Sequence, residues 1–386
     1  MHVAIVSGLL SESYGGPPAV VRAHVAALSG RADVTVFGVA ASQDLPAVRA
    51  DLPDVLAFPP TWPKRWFRGK GLFASLQSHI RSYDVVHAHM LWDHSVWAAA
   101  RVAQGAHVPL VVTPHGSLSD IWRYRSLHKR VYSRLVLQKI LGSGTFVHAL
   151  TEAEALACRK AGVNRPITVI PNGVAFDYLA TPKAESLNGC LQPANGRRIM
   201  LYIGRLASEK GLDTLIEAWS QVIKRPQASD WILVIAGPNY RGYRRTLVSS
   251  VERHEFCSAR VLIAGPVYGQ AKRSLLLHAD CFVLPSRSEA HSVSLLEAMA
   301  AGVPCVFTTG CNAGALAAAD GGWEANTSVE GLAAALMMAV SLPRQILKYH
   351  GENARRHAQS QFGLPGLSDA LVAMYRDVRN QFALHR

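Results

Sequence analysis

The chain has 386 residues, 49% of them hydrophobic, and a net charge of +13. That length suits two ordinary domains and that composition excludes a disordered chain, while no apolar run reaches the ~20 residues a membrane span requires. The charge asks for an anionic partner (a nucleoside diphosphate, an acidic membrane surface or nucleic acid), and six scattered cysteines without a CxxC pair read as reduced packing residues.

The chain opens directly on a strand, Val3-Ala4-Ile5-Val6, with no basic leader, which predicts a cytoplasmic protein. Gly15 and Gly16 follow, before a helical pattern carrying Val20, Val21, His24, Val25 and Leu28. A glycine pair between strand and helix permits close backbone approach and exposes amides at a positive helix end, though an ordinary glycine turn reads equally well. A strand over 33–38 leads into a proline-broken, irregular region. There, Trp62-Pro63-Lys64-Arg65-Trp66-Phe67-Arg68-Gly69-Lys70 interleaves aromatics with cations. Interfacial contact with an anionic membrane and a solvated basic loop over packed tryptophans are the two readings of that stretch.

Further strands end at His87 and His89 and at Thr113-Pro114-His115-Gly116. His115, at a strand tip before a glycine, is a candidate site residue; His87 and His89 read as satisfied core groups. The basic stretch 122–134, with Leu127 and Val131, predicts an amphipathic helix for a membrane surface or an acceptor diphosphate, or else a charged face over a packed stripe. Thr151 to Glu154 spells a capping box, so Glu152 and Glu154 read as structural. Polar residues 180–197, rich in Pro, Gly and Asn, predict the linker between domains 1–180 and 181–365. The segment 366–386 is a separate C-terminal helix.

The second half repeats the strand–helix alternation. A strand ends on Gly204-Arg205-Leu206-Ala207-Ser208-Glu209-Lys210-Gly211, placing two cations at a strand tip and a helix start, where a diphosphate leaving group needs fixed positive charge. Glu209 would orient Lys210. After Cys281-Phe282-Val283-Leu284 comes PSRSEAHSVSLLEAMAAGVP, residues 285–304: a strand, a loop with Glu289, and a helix with Glu297 closed by Gly302 and Pro304. Two glutamates in such surroundings either look into one crevice or are solvated.

These runs resemble the retaining glycosyltransferases of family 4. The resemblance rests on Pro-Ser-x-x-Glu followed by Leu-Glu-Ala-Met-Ala-x-Gly-x-Pro at 285–304, Gly-Arg-Leu-x-x-Glu-Lys-Gly at 204–211 and Ile-Pro-Asn-Gly-Val at 170–174. It implies the GT-B fold, an α/β architecture of two Rossmann-like doubly wound parallel-sheet domains facing a central cleft, with the C-terminal helix crossing back onto the first. It also implies a nucleotide-diphosphate sugar donor, UDP- or GDP-linked, with no separate cofactor. His115 and Glu289 would lie against the transferred sugar, and Arg205 and Lys210 on the diphosphate. Glu297 would hold the ribose, the loop with Pro266 and Val267 would border the base, and Gly15, Gly16, Gly204 and the backbone of Ser292, Val293, Ser294 and Leu295 would approach the donor. Where the family usually has glycines after the first glutamate, this chain has Ala290 and Ser292, a change that bears on which sugar fits.

The absence of an Asp-x-Asp pair leaves a metal clamp without evident ligands, so Arg205, Lys210 and amides would take that part. The expected reaction is transfer to an acceptor hydroxyl on a glycan or lipid-linked glycan in polysaccharide or lipopolysaccharide assembly. A nucleotide-sugar epimerase of the same fold, a non-catalytic nucleotide sensor and a nucleic-acid-binding protein are the competing readings. The last lacks a helix-turn-helix, zinc or RNA-recognition motif, so no nucleic-acid partner is expected.

Overall fold

The structure, a computed structural model, describes residues 1–52, 54–62, 66–118, 136–142, 144–176, 196–254 and 257–384. It divides into two compact units: Met1–Gly173 with Leu364–Arg386, and Val174–Gly363.

Seven parallel strands form the sheet of the first unit: β1 (His2–Ser7), β2 (Asp33–Val39), β3 (Val55–Phe58), β4 (Val85–His89), β5 (Leu110–Thr113), β6 (Thr145–Ala149) and β7 (Ile167–Val169), in the order β3-β2-β1-β4-β5-β6-β7. Residues of β4, β5 and β6 are buried throughout, which is why they read as unbroken apolar runs rather than alternating ones. Successive side chains still part to opposite faces. Ala4 and Val6 join a core with the helices Leu72–His79 and His94–Ala106, whereas Val3 and Ile5 join one with the helix Gly16–Leu28. The C-terminal helix Leu364–Leu384 packs in that second core through Leu367, Leu371 and Tyr375.

The second unit holds six parallel strands: β8 (Arg198–Ile203), β9 (Trp231–Ala236), β10 (Val261–Gly265), β11 (Cys281–Leu284), β12 (Cys305–Thr308) and β13 (Gly322–Ala325), in the order β10-β9-β8-β11-β12-β13. Its largest fully buried side chains, Trp219, Trp231, Tyr202, Phe282 and Phe307, fill one continuous core. Val174 N–H donates to Phe362 O at 2.9 Å, tying together the points where the chain enters and leaves this unit.

Each sheet has one strand pair at which the chain reverses its direction of travel: β1 with β4, and β8 with β11. In open parallel sheets, the crevice beyond the C-terminal ends of such a pair is where ligands bind.

Several sequence expectations differ from the structure. The boundary between the units falls at Gly173–Val174, not at 180. The segment after residue 38 is not irregular throughout: it contains the helix Leu45–Asp51, the edge strand β3 and the helix Leu72–His79. The basic stretch 122–134, residues 63–65 of the aromatic–cation stretch and most of the expected linker lie outside the described residues. In the described part of the aromatic–cation stretch, Trp66 packs edge-on to His94 at 5.2 Å and Phe67 edge-on to Tyr14 at 5.3 Å, while Trp62 is 86% exposed. Among the described residues no helix is long and apolar enough to cross a membrane.

Candidate active site: ion pairs and histidines at the strand tips

In the second unit, the turn after β8 carries Arg205 and Lys210, and the loop after β11 carries Glu289. Lys210 Nζ donates to Glu289 Oε1 at 2.5 Å, with the two side chains only 16% and 11% exposed. Ser286 Oγ donates to the same carboxylate oxygen at 2.7 Å. The backbone of Glu289 is clamped from the loop after β12: its N–H donates to Gly310 O at 2.8 Å, and Asn312 Nδ2 donates to its carbonyl at 2.9 Å. Gly211 makes this approach possible. It sits at φ +64, and a Cβ there would lie 2.1 Å from Pro285 O, in the loop after β11.

Arg205 pairs with Glu209 at 3.3 Å and lies 4.8 Å from the centroid of the Tyr240 ring. Glu209 therefore orients Arg205, not Lys210 as the sequence suggested. Tyr202 donates from its hydroxyl to Arg205 O at 2.9 Å. Burial raises that phenol's pKa first, and the charge of Glu289 raises it further, with Arg205 opposing. One buried phenol thus senses both Arg205 and Glu289.

Glu297, on the helix Val293–Ala300, accepts from Lys272 Nζ at 2.6 Å. Lys272, on the helix Gly269–His278, was not singled out in the sequence. It stands five positions after Val267, but nothing local marks it, because the pairing depends on how two helices dock. Partly buried pairs of this kind contribute little net stability; their effect is to fix both groups in place.

The expected donor-facing backbone is partly committed. Ser292 is the N-cap, and its Oγ accepts from Leu295 N–H at 3.4 Å, which takes one of the four candidate amides. Val293 and Ser294, at the open first turn, have no partner for their amides among the described residues. Gly204 donates its N–H to Ala236 O at 3.1 Å, and a Cβ on it would lie 2.6 Å from the Tyr202 hydroxyl, so it makes room rather than offering a donor. Pro266 has no N–H, and Val267 is buried beside it at the end of β10. His291, packed on Phe362 at 5.1 Å, has its pKa lowered to about 4 by burial, with Glu289 opposing.

In the first unit, Gly15 takes φ +86 and Gly16 opens the helix Gly16–Leu28. Pro17 and Pro18 follow, so two of the four first-turn N–H groups do not exist, and this helix start offers an anion less than its glycines suggest.

His115 sits at φ +53 after β5, followed by Gly116 at φ +73. Its Nε2 lies 2.9 Å from His89 Nδ1. His89 Nε2 is buried with no hydrogen-bond partner among the described residues. A buried bare acceptor is tolerated better than a bare N–H, so His89 donates from Nδ1, His115 accepts at Nε2, and the neutral His115 carries its proton on Nδ1. Burial, reinforced by His148, lowers the His115 pKa to about 3. His115 is thus a hydrogen-bond donor and too weak a base to remove a proton near neutral pH.

A chain of hydrogen bonds behind it has one consistent direction. Ile170 O can only accept, so His148 Nε2 (2.8 Å) carries a proton. Neutral His148 then accepts at Nδ1 from Thr113 Oγ1 (2.9 Å), Thr113 accepts from His87 Nε2 (2.7 Å), and His87 accepts at Nδ1 from the Tyr375 hydroxyl (2.7 Å). His24, His87 and His89 bring ring nitrogens within 4.8 Å of one another. His87 has no lone pair left for a metal, which removes one of the three ligands. His87 is the satisfied core histidine the sequence suggested; His89 instead supports His115.

Glu154 departs from the capping box. Thr151 Oγ1 accepts from Glu154 N–H at 3.1 Å as expected, but the Glu154 carboxylate turns inward. It accepts from Leu150 N–H at 2.7 Å and from Gly116 N–H at 2.5 Å. Asp93 is also buried; it caps the helix His94–Ala106 by accepting from Val96 N–H at 3.0 Å, and burial raises its pKa to about 7.

The family profile described as Glycosyl transferases group 1 matches residues 190–357, and the profile Glycosyltransferase Family 4 matches residues 14–178. The chain belongs to the group 1 glycosyltransferases. Among curated members, TuaC of Bacillus subtilis, whose name assigns it to teichuronic acid biosynthesis, is 30% identical over 228 residues, covering 58% of this chain and 53% of TuaC. The GDP-mannose:cellobiosyl-diphosphopolyprenol alpha-mannosyltransferase of Xanthomonas oryzae pv. oryzae is 29% identical over 234 residues, covering 60% of this chain and 57% of that enzyme. The matches thus span between half and three-fifths of these relatives. The solved structure of Anabaena Alr3699/HepE in complex with UDP and glucose superposes with a TM-score of 0.79 at 18% identity, covering 98% of this chain and 100% of that one. This group 1 glycosyltransferase therefore has the two-sheet GT-B fold the motifs implied.

Proposed function

We propose that the chain transfers a sugar from a nucleoside diphosphate donor to an acceptor hydroxyl, with retention at the anomeric carbon. The observation that carries this reading is the Lys210–Glu289 pair bridging the β8 and β11 loops. It sets a fixed cation and a hydrogen-bond-accepting carboxylate side by side at the switch point of a parallel sheet. Lys210 and Arg205 neutralise the diphosphate as its bond to the sugar breaks, which is where charge develops. Glu289 accepts from sugar hydroxyls, Glu297 from the ribose, and His115 donates from Nδ1 to a sugar oxygen.

In this step the bond from the anomeric carbon to the β-phosphate oxygen breaks and the bond to the acceptor oxygen forms on the same face. The acceptor proton passes to the departing phosphate, since neutral His115 is too weak a base to take it. The two cations do the work a divalent ion would do, so transfer is expected to survive a chelator.

The acceptor is a glycan or lipid-linked glycan of polysaccharide or lipopolysaccharide assembly. The name of the Xanthomonas relative, and that of LpcC of Rhizobium leguminosarum bv. viciae, a lipopolysaccharide core biosynthesis mannosyltransferase, support this class. A panel of UDP- and GDP-sugars, assayed for nucleoside diphosphate release with and without lipid-linked glycan acceptors, tests the reading. Acceptor-dependent release from one donor supports it; release from none contradicts it.

A further inference from the structure

His115 is a non-glycine residue in the left-handed region, next to a second left-handed residue, Gly116. Neither relaxes to extended backbone, so something fixes the pair. On one side is the His89 ring, 2.9 Å from His115 Nε2. On the other is the Glu154 carboxylate, which reaches across from the first turn of the helix Glu152–Lys160 to accept from Gly116 N–H and from Leu150 N–H, at the exit of β6.

Glu154 is 5% exposed and forms no ion pair among the described residues. Burying a carboxylate is costly unless its hydrogen bonds require it there, and a capping box alone would leave this side chain near solvent, on its own helix. Its two acceptor oxygens are instead spent on two amides from different strand ends, one of them adjoining His115. We infer that Glu154 is a positioning residue for the transfer reaction, holding the His115–Gly116 backbone so that His115 presents its Nδ1 proton in one fixed direction. This inference rests on the transferase reading and adds to it a residue that never touches the substrate.

The two roles open to Glu154, support of His115 and support of the fold, separate in a double-mutant cycle. Wild type, Glu154→Gln, His115→Ala and the double variant are compared for kcat, donor KM and Tm. Gln keeps the shape but sets an amide N–H₂ against one of the two N–H donors. The expected result is a kcat loss of about tenfold or more for Glu154→Gln, with donor KM within about twofold, and a double variant no slower than His115→Ala alone. Should Glu154→Gln not fold, Glu154→Asp, which keeps the charge but withdraws it from both amides, is read by the same criteria. Unchanged kcat, or a double variant whose loss is the product of the two single losses, overturns the inference and leaves the transferase reading standing. So does the failure of both variants to fold, since Glu154 then serves the fold alone. A wild-type protein that transfers no sugar overturns the reading and the inference together.

Discussion

Lys210 and Glu289 stand 79 positions apart in the chain and 2.5 Å apart in space, joining the loops that follow two adjacent strands. Glu289 is the fixed partner: Ser286 holds the same carboxylate oxygen and Gly310 and Asn312 hold its backbone, so the flexible lysine stem is anchored at its charged end. Lys210→Ala is expected to weaken nucleoside diphosphate binding by about 10- to 100-fold, the value of a charge-assisted hydrogen bond of about 1.5–3 kcal/mol. Isothermal titration with UDP and GDP checks it, and an unchanged Kd would mean the lysine serves only its glutamate.

Glu297 and Lys272 are expected to act as one unit. Both Glu297→Ala and Lys272→Ala weaken nucleotide binding, and the double variant loses less than the sum of the two, with a coupling energy of about 0.5–3 kcal/mol. Strict additivity in the same titrations would show that the 2.6 Å contact is incidental to the ligand.

Gly211→Ala tests the close approach of the two loops. At φ +64, with Pro285 O in the place of the new Cβ, alanine is expected to cost well over the ~1 kcal/mol that a permissive site would show, and to lower nucleotide affinity with stability. A melting temperature within about 1 °C of wild type would contradict the geometry.

The buried histidines predict acid sensitivity. His24, His87 and His89 are held well below the ordinary histidine pKa by burial, then by neighbouring histidines; His115 lies at about 3 and His148 at about 4. The unfolded chain protonates these groups near pH 6.5 while the folded chain does not, so stability is full above that pH and falls as pH drops toward 4. Asp93 and Glu154 act oppositely, since their raised pKa values favour the folded state in acid and that contribution fades as pH rises, through about 7 for Asp93. Five groups outweigh two, and Tm is expected to fall between pH 6.5 and 4. His24→Leu removes two buried nitrogens that lack a partner among the described residues, and is expected to stabilise by about 1 kcal/mol and flatten that slope. A lower Tm for this variant at pH 7 would show that an ordered water satisfies the ring.

What could be read from the sequence was local. Arg205 and Lys210 announce themselves between a strand tip and a helix start, Glu289 in the loop after a strand and Glu297 inside a short helix, because the apolar neighbours of each fix its place. The Lys272–Glu297 contact does not, because it joins two helices through tertiary docking. Glu154 was misread for the opposite reason: the local capping motif was satisfied by Thr151, which hid a carboxylate turned toward Gly116, 38 positions away. The four-residue edge strand β3 was lost among flanking prolines, which an edge tolerates and a central strand does not.

The most direct test of the account is calorimetric titration of the wild-type protein with UDP and GDP, repeated on Glu297→Ala and Lys210→Ala. Saturable binding of one nucleotide to wild type, weakened at least tenfold in both variants with Tm preserved, is the predicted result. No binding of either nucleotide, or binding that both variants retain in full, would contradict it.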